Sequence, residues 1–126
     1  MLNDYFNLEE FIPNNTMKTI LDIGANVGMY SLVCTTLAPN VQIHAFEPLP
    51  IVFEKLRQNI EYHKSSSINP VPTALSDRFG TDVFEVIFGG TQSSHYPELL
   101  DSASSEKIAV KLDTLDNYIE RNQIRH

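Results

Sequence analysis

The sequence predicts a doubly wound α/β domain, and three observations carry the prediction. A short, apolar, β-branched run from Lys18 to Ile23 ends in a glycine pair, Gly24 and Gly28. Strand-period and helix-period segments then follow one another as β-α-β-α-β up to Leu75. Beyond Asp77 the pattern changes to strict alternation over two more segments. The order is that of one mononucleotide-binding half of a doubly wound sheet, with an antiparallel strand pair added at the edge of its third strand.

Taken in order, Asn7 to Ile12 forms a short helix stopped by Pro13, and Asn14-Asn15 supplies a turn. Lys18-Thr19-Ile20-Leu21-Asp22-Ile23 is a buried strand entering a tight loop. From Val27 the apolar positions Val27, Tyr30, Cys34 and Leu37 recur at helical spacing until Pro39-Asn40 ends the pattern. Val41 to Phe46 alternates as a strand and stops at Glu47-Pro48-Leu49-Pro50. Pro50 suits the first turn of a helix with Phe53, Leu56, Ile60 and His63 on one face. A third strand spans Ile68 to Leu75, where Pro70 and Pro72 require an edge position or a late start of regular pairing. Thr81 to Phe88 and Glu106 to Leu112 pair antiparallel, Phe84, Val86 and Phe88 sharing a face with Ile108, Val110 and Leu112. Asp113 to Ile119 is a capped helix, and residues 89–105, rich in Gly, Ser and Pro, are the one long loop of a single domain over residues 1–126.

Composition excludes several functions. The 126 residues carry 16 acidic against 9 basic side chains, a net charge of −7, and the basic ones are scattered singly. That offers no stripe for a phosphate backbone, so nucleic acid is not expected as a partner. No apolar run approaches the roughly 20 residues of a membrane helix, and Met1-Leu2-Asn3-Asp4 lacks the basic start of a signal peptide. A soluble, cytoplasmic protein is expected. Cys34 is the only cysteine and the four histidines are dispersed, so neither a disulfide nor a metal set is expected.

The chemistry points to the loop after the first strand. Leu21-Asp22-Ile23-Gly24-Ala25-Asn26-Val27-Gly28 joins strand to loop to helix, the context that turns glycine spacing into a nucleotide site. A dinucleotide fingerprint needs a glycine where Asn26 stands, so that the backbone can approach a pyrophosphate. This argues against a nicotinamide-dependent oxidoreductase. S-adenosylmethionine carries no pyrophosphate, and Asp22 at the strand end suits its sulfonium and ammonium charges. Glu47, 19 residues past Gly28, stands where a carboxylate accepts hydrogen bonds from both ribose hydroxyls. Asp77, after Leu75-Ser76, is placed to accept from the adenine amino group, with Pro48, Leu49 and Leu75 flanking the ring. The candidate cofactor-binding set is therefore Asp22, Gly24, Asn26, Gly28, Glu47, Pro48, Leu49, Leu75, Ser76 and Asp77.

Each of these residues alone has a plainer role: Asp22 and Asp77 as turn caps, Glu47 as a solvated residue before a helix, the glycines for close helix–strand packing. What favours the ligand is that three successive strand ends converge on one crevice. Cys34 and Tyr30 read as core, His44 as a strand residue on a helix-covered face, and Lys107 and Lys111 as a solvated face. His95, in the long loop, is the one histidine placed to act as a general base from a lid, although an ordinary loop residue is the simpler reading.

These segments resemble the FkbM-type family of S-adenosylmethionine-dependent methyltransferases. The resemblance lies in Leu21 to Gly28 with Ser31-Leu32, in Phe46-Glu47-Pro48-Leu49-Pro50 with Phe53, Leu56 and Asn59-Ile60, in Ala74-Leu75-Ser76-Asp77 with Gly80, and in Val110 and Leu112 through Thr114-Leu115-Asp116. It implies a class I methyltransferase Rossmann-like fold, with Asp22, Gly24, Asn26 and Gly28 at the cofactor's amino-acid end, Glu47 on the ribose and Asp77 near the adenine. It also implies methyl transfer, usually to an oxygen of a small acceptor such as a sugar or natural-product hydroxyl. The family continues past the segment that resembles Thr114-Leu115-Asp116 with a strand ending in a Lys-Ile-Asp-Val-Glu-Gly motif, and the sequence holds none of it. The expectation is therefore a form truncated at its C-terminus, lacking the half needed for catalysis, in which Lys18 to Ile23 is an open sheet edge able to pair with another chain. The alternative function is a non-catalytic module that binds an adenosine ligand or a partner.

Overall fold

The computed structural model describes Pro13, residues 16–88 and residues 104–125; the helix expected over residues 7–12 and the loop residue His95 lie outside the described residues. β1 (Thr19–Ile23) leads through the glycine turn into α1 (Met29–Leu37), followed by β2 (Gln42–Phe46), α2 (Pro50–Tyr62) and β3 (Ile68–Val71). β1 pairs with β2 and β2 with β3, all parallel, so the sheet order is β1-β2-β3 and β3 is an edge. That position accommodates Pro70, which stands opposite Ala45 and has no N–H to give a further neighbour.

The expected third strand is not continuous to Leu75. It breaks at Pro72-Thr73, and the short β4 (Ala74–Leu75) pairs with a different partner, β6 (Ser104–Asp113). β6 runs parallel to β4 and antiparallel to β5 (Gly80–Phe88), giving a second sheet of order β4-β6-β5. The antiparallel pair is therefore attached to the continuation of the third strand beyond the proline rather than to β3 itself. Its apolar positions are offset: Phe84 faces Ile108, but Val86 faces Glu106 and Asp82 faces Val110. Val110 and Leu112 are buried, while Val83 and Ile87 on the other face are largely exposed.

Side chains alternate across β2, and each face has its own cover. Ile43 and Ala45 pack with Ala25, Cys34, Ala38, Val41, Leu56, Ile60 and Ile68, the core between sheet and helices α1 and α2. His44 and Phe46 point the other way, to Tyr118 of α3 (Leu115–Arg121). The buried helix faces differ slightly from the periodic expectation. In α1, Ser31 and Cys34 are buried while Leu37 is 44% exposed, and in α2 the burial ends at Ile60, His63 being an exposed C-cap. The last helix forms as its sequence requires: Thr114 Oγ1 caps it by accepting from the Asn117 N–H at 3.2 Å, Asp116 sits in the first turn and Arg121 in the last. Among the described residues no helix is long and apolar enough to cross a membrane.

Candidate functional site

The carboxyl ends of β1, β2 and β4 meet at a crevice, the position where open α/β sheets bind ligands. Its geometry begins with the glycine turn. Gly24 and Ala25 both donate their N–H groups to Phe46 O, at 3.0 and 2.8 Å, which seats the turn against the end of β2. Asn26 and Gly28 then take left-handed backbone, with φ of 54° and 87°. Asn tolerates that region better than other side-chain-bearing residues, which explains its presence where a dinucleotide loop has glycine. At Gly28 there is also a packing limit: a Cβ there would lie 2.6 Å from Leu56 Cδ1 of α2, so the end of that side chain would have to shift.

Glu47 joins this turn to the next loop. It is 6% exposed, and its two oxygens each accept one backbone N–H, from Asn26 at 3.1 Å and from Leu49 at 2.9 Å. Its own N–H donates to Val71 O at 3.0 Å, so β3 fixes its backbone. A carboxylate offers about four lone-pair sites, and two backbone donors leave about two for a ligand. Beside it is a cavity of about 150 Å³, walled by Ile23, Gly24, Phe46, Pro48, Thr73, Ala74 and Leu75. An apolar slot of that size suits a flat ring such as a purine base, and a buried carboxylate with lone pairs to spare can accept from paired hydroxyls.

Asp22 lies on the wall of an adjoining cavity of about 300 Å³, with Pro13, Met17, Ile20, Leu21, Ile23 and Tyr30. Its Oδ2 accepts from Ser31 Oγ at 2.6 Å. Burial pushes the Asp22 carboxyl above its ordinary value, and the Ser31 hydroxyl and N–H offset part of that rise. The two cavities share Ile23.

The sequence-derived residues fall into four groups. Gly24, Pro48 and Leu75 line the slot, and Asn26, Gly28, Glu47 and Leu49 build the backbone around it. Asp22 belongs to the adjoining cavity. Ser76 and Asp77 follow β4: Ser76 N–H donates to Asp113 O at 2.8 Å, whereas the Asp77 side chain is 87% exposed, accepting from Ser76 Oγ and lying 3.7 Å from Arg78. Sequence reasoning missed the roles of Ser31, Phe46, Thr73 and Ala74. Ser31 had a detectable signal, a small hydroxyl on the apolar face of α1 within one helical turn of the loop. Among the described residues no group of His, Cys, Asp and Glu is arranged to hold a metal ion.

No protein-family model matches the chain. It is 44% identical over 45 residues to the 31-O-demethyl-FK506 methyltransferase FkbM of Streptomyces tacrolimicus, covering 36% of this chain and 17% of that protein. It is 34% identical over 71 residues to the methyltransferase sdnD of Sordaria araneosa, covering 56% and 27%. The chain thus matches about a quarter or less of the length of these relatives. Among solved structures, the methyltransferase FkbM of Methylobacillus flagellatus superposes with a TM-score of 0.53 at 11% identity, over 86% of this chain and 24% of that one. The precorrin-6y C5,15-methyltransferase of Geobacter metallireducens does so with a TM-score of 0.50 at 13% identity, over 84% of each. Over part of its length the chain is thus similar in sequence to FkbM-type methyltransferases, and it shares the α/β, Rossmann-like fold of the solved methyltransferase structures.

Proposed function

We propose that the chain binds S-adenosylmethionine at the crevice and belongs to a methyltransferase acting on an oxygen of a small acceptor, such as a sugar or natural-product hydroxyl. The observation that carries this reading is Glu47: a buried carboxylate with one backbone donor on each oxygen and capacity left over, set between Phe46 and Pro48, which line an apolar slot. In the proposal Glu47 accepts from the ribose hydroxyls, Pro48 and Leu75 flank the adenine, and Asp77 meets its amino group from the rim. Asp22, held by Ser31, faces the amino-acid end, and the turn from Gly24 to Gly28 packs against it.

The bound cofactor would supply an electrophilic methyl group on a positively charged sulfur. The chain's own residues would orient that group and keep water from it, since charge is neutralised as the new bond forms and a dry, aligned site favours the step. The burial of Phe46, Ala25 and Glu47 around the turn supports this role. A second reading, a non-catalytic adenosine-ligand module that pairs through its sheet edge, is favoured by β1, whose strand neighbour among the described residues is β2 alone.

The test is calorimetric titration with S-adenosylhomocysteine, with Glu47→Ala in parallel. The proposal predicts micromolar binding that the variant weakens at least tenfold, the scale of losing hydrogen bonds to a charged group. Absence of binding by the folded protein contradicts it. Binding together with a discrete dimer in sedimentation and no methyl transfer to any hydroxyl acceptor supports the second reading.

A further inference from the structure

We infer that Asn59, on α2, is a positioning residue for the glycine turn: its amide fixes the Val27–Gly28 peptide, and with it the backbone that meets the proposed cofactor. The cofactor part of this inference rests on the S-adenosylmethionine reading; the control of the turn does not.

Gly28 is the N-cap of α1, and the first intrahelical bond runs from Leu32 N–H to Gly28 O at 2.9 Å. Val27 O lies one residue earlier, before the helix begins, and a part-buried carbonyl there needs a donor from elsewhere. Asn59 provides it across 32 residues of sequence, Nδ2 donating to Val27 O at 2.7 Å. The amide is oriented without ambiguity, because only its NH₂ end can meet a carbonyl. The N–H of the same peptide, on Gly28, donates to Ala25 O at 2.9 Å. Both polar ends of the peptide are thus held, and its plane cannot turn without breaking one of them.

The same helix also supplies the steric limit. Leu56, three residues before Asn59 and so on the same face of α2, lies where a Cβ on Gly28 would fall. At the middle of the turn Glu47 holds the Asn26 N–H. Beyond the backbone bonds to Phe46, side chains therefore grip the turn at two points, Glu47 at Asn26 and Asn59 at its exit, and only the first of these residues is itself proposed to touch the ligand.

The experiment compares the full chain with Asn59→Asp, Asn59→Ala and Asn59→His. The first keeps the shape but at neutral pH has no donor, and the last keeps an Nδ1–H at nearly the same reach. Two readouts are taken below the onset of unfolding of each variant: hydrogen exchange of the Asn26–Met29 amides, and the affinity for S-adenosylhomocysteine. Expected for Asn59→Asp and Asn59→Ala are faster exchange confined to that segment and about a tenfold loss of affinity, with Asn59→His nearer the parent. Should Asn59→Asp not fold, Asn59→Ala against Asn59→His decides the matter. Unchanged exchange overturns the control of the turn. Faster exchange with unchanged affinity overturns the positioning role and leaves Asn59 a structural brace. If the parent chain does not bind, the cofactor reading fails and the positioning role with it, while exchange still shows whether Asn59 sets the turn.

Discussion

Gly24 and Gly28 share a left-handed backbone but differ in what surrounds them, and that difference is measurable. An added Cβ at Gly24 meets nothing within 4 Å, whereas at Gly28 it meets Leu56. Gly24→Ala is expected to cost the backbone strain alone, about 1–2 kcal/mol. Gly28→Ala adds overpacking of about 1–3 kcal/mol. Urea unfolding at a common m-value checks the order, and equal losses would mean that Leu56 moves aside freely. Asp22 gives a prediction in pH. Burial holds its carboxyl above the ordinary value, so it takes up a proton sooner than a free aspartate, near pH 3.9, as pH falls. Protonation removes the attraction for an amino group; affinity for S-adenosylhomocysteine should therefore begin to fall above that range, while Asp22→Asn binds more weakly with a flatter profile. A parent profile as flat as the variant's would exclude the pairing. The residue types of the site were legible because glycines, a strand-end aspartate and a strand-end glutamate are discrete signals. What Asn26, Ser31 and Asn59 do was not, since a backbone angle and two hydrogen bonds across the fold leave little trace in local pattern.

At the scale of elements, strands and helices were read from period, and the departures have named causes. The third strand breaks because Pro72 cannot donate to a ladder, so the two residues beyond it join a new neighbour. Leu37 and His63 lie at helix ends, where the periodic face runs past the core. The attachment of α3 was not foreseeable from its own sequence. It docks through Tyr118, whose hydroxyl lies 2.7 Å from His44 Nδ1 and whose ring meets Phe46 edge-on at 4.7 Å. Asp113 ties its start down by accepting from Asn117 Nδ2, Thr114 N–H and Arg121 Nη2. Burial holds the His44 imidazole below its ordinary value, so on acidification the unfolded chain takes up this proton before the folded one. Its contribution is full above about pH 6.5 and is lost as pH falls through the folded value. The melting temperature of the parent should thus drop from pH 7 toward pH 5 more steeply than that of His44→Gln. Identical slopes would show that His44 does not sense α3 docking.

Over the whole molecule, the β-α-β-α order and the glycine turn after the first strand are met by the parallel sheet β1-β2-β3, and Asp22 and Glu47 at successive strand ends make its carboxyl edge the candidate ligand crevice. The joint between the two sheets was less legible, because a pair of residues such as β4 leaves no periodic trace. In the proposed function this crevice, and not another surface, takes the adenosine ligand. Amide-shift mapping of the ¹⁵N-labelled chain during titration with S-adenosylhomocysteine tests it most directly. Gly24, Asn26, Gly28, Leu49 and Leu75 are expected to move together and saturate, while Val83 and Lys107 of the β5–β6 pair stay still. Shifts confined to the concavity around Arg57 and Lys64, or none in a folded protein at millimolar ligand, would contradict it.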